Sequence, residues 1–179
     1  MELYCREVSI FDEKLMDDFA REHLDSGMEI LAGDASLVVG KSYHNFDNFY
    51  DWYKEISKYF FDEDLKKGKV GCSVYLVFQK SDDSFVGIFD IRHNLNYTDG
   101  ELLGHIGVDI RPSYRGKGYY RHILELCIEE CKKFLISEII ISCEYDNLSS
   151  LKGIDDLFEL KMEMVPFNGT YLYIYKKSV

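Results

Sequence analysis

"IRPSYRGKGYYRHILELC", from Ile110 to Cys127, is the stretch on which the fold turns. Ahead of it, "GHIGVDI" has the composition of a strand, and Pro112 stops it. Behind it, Ile123, Leu124, Cys127, Ile128 and Cys131 recur at helical spacing. Gly116 and Gly118 therefore sit in a turn that leaves a strand and enters a helix. A helix N-terminus presents amides without intrahelical partners and the positive end of the dipole. A glycine-bearing turn lets that backbone come close to an anion. Arg111, Arg115, Lys117 and Arg121 surround the turn, with only Asp109 of opposite sign beside them. Arginine can hold phosphate oxygens as a fork, and lysine acts as a point charge. This local chemistry fits a phosphate cradle and a solvated basic turn equally well.

Three familiar phosphate motifs do not fit. Gly-x-x-x-x-Gly-Lys-Ser/Thr is absent. Gly-x-Gly-x-x-Gly is incomplete, because Arg121 stands at the third glycine. The turn also lies late in the chain rather than after a first strand, which argues against a dinucleotide fold.

Working outward, "LYCREVSI" reads as a first strand. Asp12 is placed to cap a helix over "EKLMDDFAREHL", with Leu15, Phe19 and Leu24 on its apolar face. The stretch "SGMEILAGDASLVVGKSYHN" has no clear period. Phe46, Phe49, Tyr53, Ile56 and Phe60 then predict an amphipathic helix ending at Gly68. "VGCSVYLVFQ" and "FVGIFDIRH" flank "KSDDS", a hairpin signal. "HNLNYTDGE" reads as a loop. "EIIISCEY" is the apolar run of a strand buried on both faces. "NLSSLKGIDDLFEL" predicts a short helix interrupted at Gly153. "KMEMVPF" and "TYLYIYKK" flank "NGT", a second hairpin. The order is a mixed α/β sheet with antiparallel hairpins. The strand–helix–strand unit from Gly104 to Cys143 predicts one parallel pair.

The totals bound the function. The chain has 179 residues, which suits one domain over 1–179. A formal net charge of -11 argues against general nucleic-acid or anionic-membrane binding. The five cysteines show no Cys-x-x-Cys spacing, so neither a disulfide framework nor a metal site is expected. "MELYCREVSI" lacks the form of a signal peptide, and no apolar run is long enough to span a membrane. The expected location is cytoplasmic.

The turn resembles the coenzyme A pyrophosphate loop of the GNAT family of N-acetyltransferases, whose signature is Gln/Arg-x-x-Gly-x-Gly/Ala. Arg115, Gly118 and the position of Tyr120 align with it. "CEYDNLSSLKGI" resembles the family's next strand and helix, where Asn-x-x-Ala/Ser recurs; here these are Asn147 and Ser150. "GIFDIRHNLN" and "GHIGVDIRPSYRGKGY" also look like one bacterial branch of predicted acetyltransferases. The element order is similar to the family's over nearly the whole chain.

The resemblance implies a mostly antiparallel sheet flanked by helices, with two splayed central strands. Between these strands the pantetheine arm of acetyl-CoA would enter. The backbone from Val108 to Ile110 would pair with that arm. The amides of Gly116, Lys117, Gly118, Tyr119 and Tyr120 would hold the pyrophosphate, with Arg115 and Lys117 lending charge. Asn147 and Ser150 would lie near the arm or the adenosine. An amine of a small molecule or peptide would attack the thioester directly, without a metal. A homodimer is compatible with this reading.

Such an amine is protonated near neutral pH and must lose a proton before it attacks. His105 is the first candidate base, since imidazole titrates in the useful range. Glu101 and Asp109 follow, as bases or as partners of a cationic acceptor; Asp109 also suits a simple pair with a nearby arginine. His93 is placed to orient neighbours. Two departures from the family pattern stand out. Tyr120 occupies the small position of the loop motif. Ile154 occupies the position, seven beyond Asn147, where many members carry a general-acid tyrosine, and Leu157, Phe158 and Glu159 replace the Gly-Phe that often follows. The alternative these departures support is a CoA-binding regulatory module with little turnover.

Overall fold

The computed structural model describes residues 1–61, 65, 69–96 and 99–179. Four strands form a first antiparallel sheet in sequence order: β1 (Leu3–Glu7), β2 (Cys72–Gln79), β3 (Phe85–Arg92) and β4 (Ile106–Ile110). A second antiparallel sheet orders β5 (Glu138–Glu144), β7 (Thr170–Ser178) and β6 (Glu159–Phe167), with β7 central. Both hairpins form where the turn residues place them, at 80–84 and at Asn168–Gly169.

Helices cover both faces of the first sheet. On one face lie α1 (Glu13–Asp25), the single turn α2 (Ser36–Val39) and α3 (Phe49–Ile56). Met16, Phe19, Trp52 and Ile56 pack there against Val74, Leu76 and Ile88. On the other face lie α5 (Tyr119–Lys133) and α6 (Leu148–Asp155), after a short α4 (Gly100–Leu103). Ile123, Leu124, Cys127 and Ile154 pack there against Phe89, Ile91, Ile106 and Ile141. Burial on both faces explains why β2 and β3 read as nearly unbroken apolar runs.

β4 and β5 are where the two sheets meet and then part. The junction is an isolated bridge between Gly104 and Ile141, supported by His105 N–H donating to the Ile140 carbonyl at 2.7 Å. Gly104 has φ +74, and a Cβ there would stand 2.4 Å from the Ile140 oxygen. Only glycine allows this approach. Beyond it the strands diverge without further ladder bonds. The expected splay is therefore present, but the expected parallel pair is not: every strand ladder among the described residues is antiparallel.

Other expectations are corrected in detail. Asp12 is the N-cap residue of α1, yet its carboxylate makes no cap bond. It accepts from Arg6 Nη1 at 2.8 Å and Nη2 at 2.6 Å, and from Ser9 N–H at 2.7 Å. The buried face of α1 is Met16, Phe19, Ala20 and His23, leaving Leu24 exposed. The helix over 46–60 is shorter than the aromatic spacing suggested, and its fully buried side chains include Trp52 as well as Ile56. Its expected end at Gly68 lies outside the described residues, as do Tyr97 and Thr98 of the expected loop. α6 runs through Gly153 without interruption. All five cysteines are free thiols. No described helix is long and apolar enough to cross a membrane.

Candidate functional site

A cavity of about 1060 Å³ opens where β4 and β5 part. One wall is built from the turn at 114–121 and from the start of α6. The opposite wall is the segment from Met28 into the start of α2 at Leu37, with Phe167 and Leu172 of the second hairpin.

The glycine turn folds as its sequence requires. Pro112–Tyr114 form a 3₁₀ turn, Arg115 is extended, and Gly118 is the N-cap of α5 with φ +84. Apart from chain neighbours, no heavy atom lies within 4 Å of a Cβ placed on Gly116 or Gly118, so the turn is uncrowded at both glycines. The first turn of α5 carries no acidic residue to compete for an anion.

β4 presents an unpaired backbone edge to the cavity. Arg92 N–H bonds the His105 carbonyl and Arg111 N–H bonds the Val86 carbonyl, so odd-numbered residues of β4 exchange their ladder bonds with β3. The amides of Ile106, Val108 and Ile110 consequently point the other way, toward β5. Arg115 Nε already donates to the Ile110 carbonyl at 2.9 Å.

Arg115 is less free than the sequence implied. Its Nη2 donates to Asp109 Oδ1 at 2.7 Å, so the pairing foreseen for Asp109 is present. His23, fully buried on α1, places Nε2 at 3.1 Å from both Asp109 Oδ1 and Arg115 Nη2. Asp109 Oδ2 accepts from Ala32 N–H at 3.2 Å. Thus Asp109 ties the turn, α1 and the opposite wall together. Lys117 is exposed and donates to the Ser113 carbonyl at 2.7 Å.

Asn147 is the N-cap of α6: its side-chain oxygen accepts from Ser150 N–H at 3.3 Å and from the Ser149 hydroxyl at 3.1 Å. Tyr120 lies between α5 and α6. Its phenol is pushed well above its ordinary range by burial, with Cys143 and Cys127 nearby, while a bond to Ser150 opposes the shift. A Cβ on Gly153 would sit 2.7 Å from Tyr120 Cδ1. The bulky residue at the small position of the loop motif is accommodated by a missing side chain on the next helix. Ile154 is fully buried in the core.

Of the three candidate bases only Asp109 lines the cavity, and its carboxylate is held by Arg115, His23 and Ala32 N–H; His105 and Glu101 do not reach the lining. Glu101 is exposed on α4. His105 is buried in the junction, where its Nδ1 accepts from Ile140 N–H at 3.0 Å. Its remaining proton is then on Nε2, leaving no free lone pair. Burial, together with the Arg92 guanidinium, lowers its pKa to about 4. His93 stacks on Phe134, with ring centroids 3.9 Å apart.

A buried ion pair escaped the sequence reading. Arg92 Nη1 donates to Asp90 Oδ1 at 2.5 Å, and Arg92 Nε donates to the Gly104 carbonyl at 2.8 Å. Asp90 also accepts from Gly107 N–H at 3.2 Å and from Ala35 N–H at 2.9 Å. Burial raises the Asp90 pKa, and Arg92 opposes that rise. The available signal was two opposite charges, two residues apart, inside an otherwise apolar strand.

The family model described as "Acetyltransferase (GNAT) domain" matches residues 16–154, which run from within α1 to within α6 and include β4, the glycine turn and β5. The chain belongs to the GNAT acetyltransferase family. This family uses acetyl-CoA as its acetyl donor. Solved structures agree on the fold of this acetyltransferase. A chimera of the spermidine N-acetyltransferase SpeG from Vibrio cholerae and hSSAT is similar with a TM-score of 0.67 at 14% identity, over 99% of this chain and 96% of that one. RimL, a ribosomal L7/L12 alpha-N-protein acetyltransferase, is similar with a TM-score of 0.63 at 15% identity, over 99% and 90%. YncA, a putative acetyltransferase from Salmonella typhimurium solved with acetyl-CoA, is similar with a TM-score of 0.63 at 14% identity, over 99% and 94%. No curated protein matches the sequence.

Proposed function

We propose that this chain, acting as one catalytic unit over 1–179, transfers the acetyl group of acetyl-CoA to a primary amine of a small molecule or peptide. The observation that carries the reading is the cavity between β4 and β5, with the open Gly116–Gly118 turn and the α5 N-terminus at one end. The residues present fit the donor. The amides from Gly116 to Tyr120 would hold its pyrophosphate, and Lys117 would add charge. Arg115 would act from its place beside Asp109, mainly by fixing the turn. The unpaired edge at Val108 and Ile110 would bond the amides of the pantetheine arm, as an added strand does. The side-chain N–H₂ of Asn147 is not used in capping and is available to the same arm.

When bound, acetyl-CoA supplies an activated acyl carbon. The amine nitrogen forms a bond to that carbon, the carbon–sulfur bond breaks, and the amine's surplus proton ends on the CoA thiol or in water. Orientation of the amine along the cleft accounts for the chain's main contribution. His105 is left out of the proton path, because both of its nitrogens are committed.

Binding is tested by thermal unfolding with increasing acetyl-CoA. A donor bound only by the folded chain stabilises it by about 2.7 kcal/mol at 100 times its Kd. A melting temperature unmoved by roughly millimolar acetyl-CoA would remove this reading. Binding without thiol release, for any amine, would support the regulatory alternative instead.

A further inference from the structure

The carboxylates of the cavity are not equivalent. Asp90 is paired with Arg92, Asp109 with Arg115 and Asp156 with Arg121. Glu144, at the end of β5, also lines the cavity and forms no ion pair among the described residues. It is exposed, so substitution there leaves the core intact. Its position on the strand sets its direction. Ile139, Ile141 and Cys143 enter the core under α5, so Ser142 and Glu144 lie on the opposite face, level with Ile174 and Leu172 of β7.

The wall of the same cavity that holds the 28–37 segment is largely apolar, and the charges that touch it, Arg115 on Met28 Sδ and Asp109 on Ala32 N–H, are paired with each other. Met28, Ile30, Ala32, Ser36, Leu37 and Phe167 contribute its surface. Ile30 is 75% exposed and Leu37 47% exposed. Single exposed apolar residues are ordinary, but two that converge on one cavity with Met28 and Phe167 form a surface that can take an apolar group. The nearby acids do not change its character: Asp109 is neutralised by Arg115, Asp34 is buried and bonded to Ser42 and Tyr43, and Glu29 does not line the cavity.

Resting on the function proposed above, we infer that the acceptor is a monoamine with an apolar body, held with its nitrogen toward Glu144 and its body against Ile30, Leu37 and Phe167. A single unpaired carboxylate suits one ammonium group. A polyamine would leave its second charge facing an apolar wall, which is costly. Charge attraction gathers the ammonium form, and Glu144 accepts a proton as the amine becomes neutral and attacks.

The experiment uses the full chain and follows thiol release. The acceptors are 2-phenylethylamine, hexylamine and a leucine-initiated dipeptide amide, against putrescine and spermidine. Acetyl-CoA binding is measured separately by calorimetry. The expected result is a kcat/KM at least about tenfold higher for an apolar monoamine than for either polyamine. Glu144→Gln should raise the amine KM by about tenfold, with the acetyl-CoA Kd unchanged. Leu37→Asp should lower kcat/KM for the apolar amines and not for spermidine. Equal or better use of polyamines overturns the inference, as does intact acetyl-CoA binding with no turnover of any apolar monoamine. Failure of acetyl-CoA to bind would instead bring down the function on which it rests. Full activity of Glu144→Gln removes that residue from the proposal.

Discussion

Replacing His105 by asparagine should make the folded chain less sensitive to acid. In the folded state His105 is neutral, with its pKa lowered from 6.5 to about 4 by burial and by Arg92. In the unfolded chain the same imidazole is solvated and protonates near its ordinary value. Between these two pKa values the unfolded chain binds a proton that the folded chain refuses. This contribution to stability is therefore whole above 6.5 and declines as pH falls toward about 4. Going from about pH 7.5 to about pH 5, the loss from this one group is about 2 kcal/mol. Asparagine can keep an acceptor near the place of Nδ1, so Ile140 N–H is not stranded, and it does not titrate. The variant should be less stable at neutral pH through lost packing, yet its stability should fall by about 2 kcal/mol less over the same interval. Urea unfolding at several pH values, extrapolated to water, gives both slopes. Parallel slopes for the two chains would refute the reasoning, as would an imidazole pKa of His105 measured by NMR at or above 6.5.

Two other substitutions separate packing from binding. Gly153→Ala should destabilise the chain by about 1–3 kcal/mol, because its methyl group meets the Tyr120 ring; adding Tyr120→Ala should recover part of that loss, so the thermal unfolding of the double variant should depart from additivity. Lys117→Ala should weaken acetyl-CoA binding by about fivefold and leave the melting temperature of the free chain nearly unchanged, since the exposed amine meets only the Ser113 carbonyl and the Tyr114 ring; an unchanged Kd by calorimetry would show that its charge does not reach the phosphates.

The parts of the fold that were legible in the sequence are those fixed by short-range chemistry. "KSDDS" and "NGT" placed the hairpins because turn residues and strand alternation act locally. The spacing of Ile123, Leu124, Cys127 and Ile128 placed α5 for the same reason. The segment from Met28 to Leu37 resisted reading because distant carboxylates order it: Asp109 takes Ala32 N–H, and Asp90 takes Ala35 N–H. No local period records such bonds. The tautomer of His105 was not legible either, because it is decided by Ile140, on another strand. The turn itself was recognised, but the role given to Arg115 was too simple, since His23 and Asp109 converge on it from α1 and β4. Gly153 was read as a break, whereas the helix continues and uses the glycine to admit a neighbour's ring.

That last contact bears on how departures from a motif are weighed. Read along the chain, Tyr120 is a blemish in the loop and Gly153 a weak point in a helix. Across the interface the two are a single fitted shape, with the bulk moved from one helix to the other. Restoring either position alone to its customary size removes only half of the arrangement: an alanine at Gly153 would crowd the ring, and a small residue at Tyr120 would leave a void. An exchange of segments with a relative would keep this joint only if both helices crossed over together.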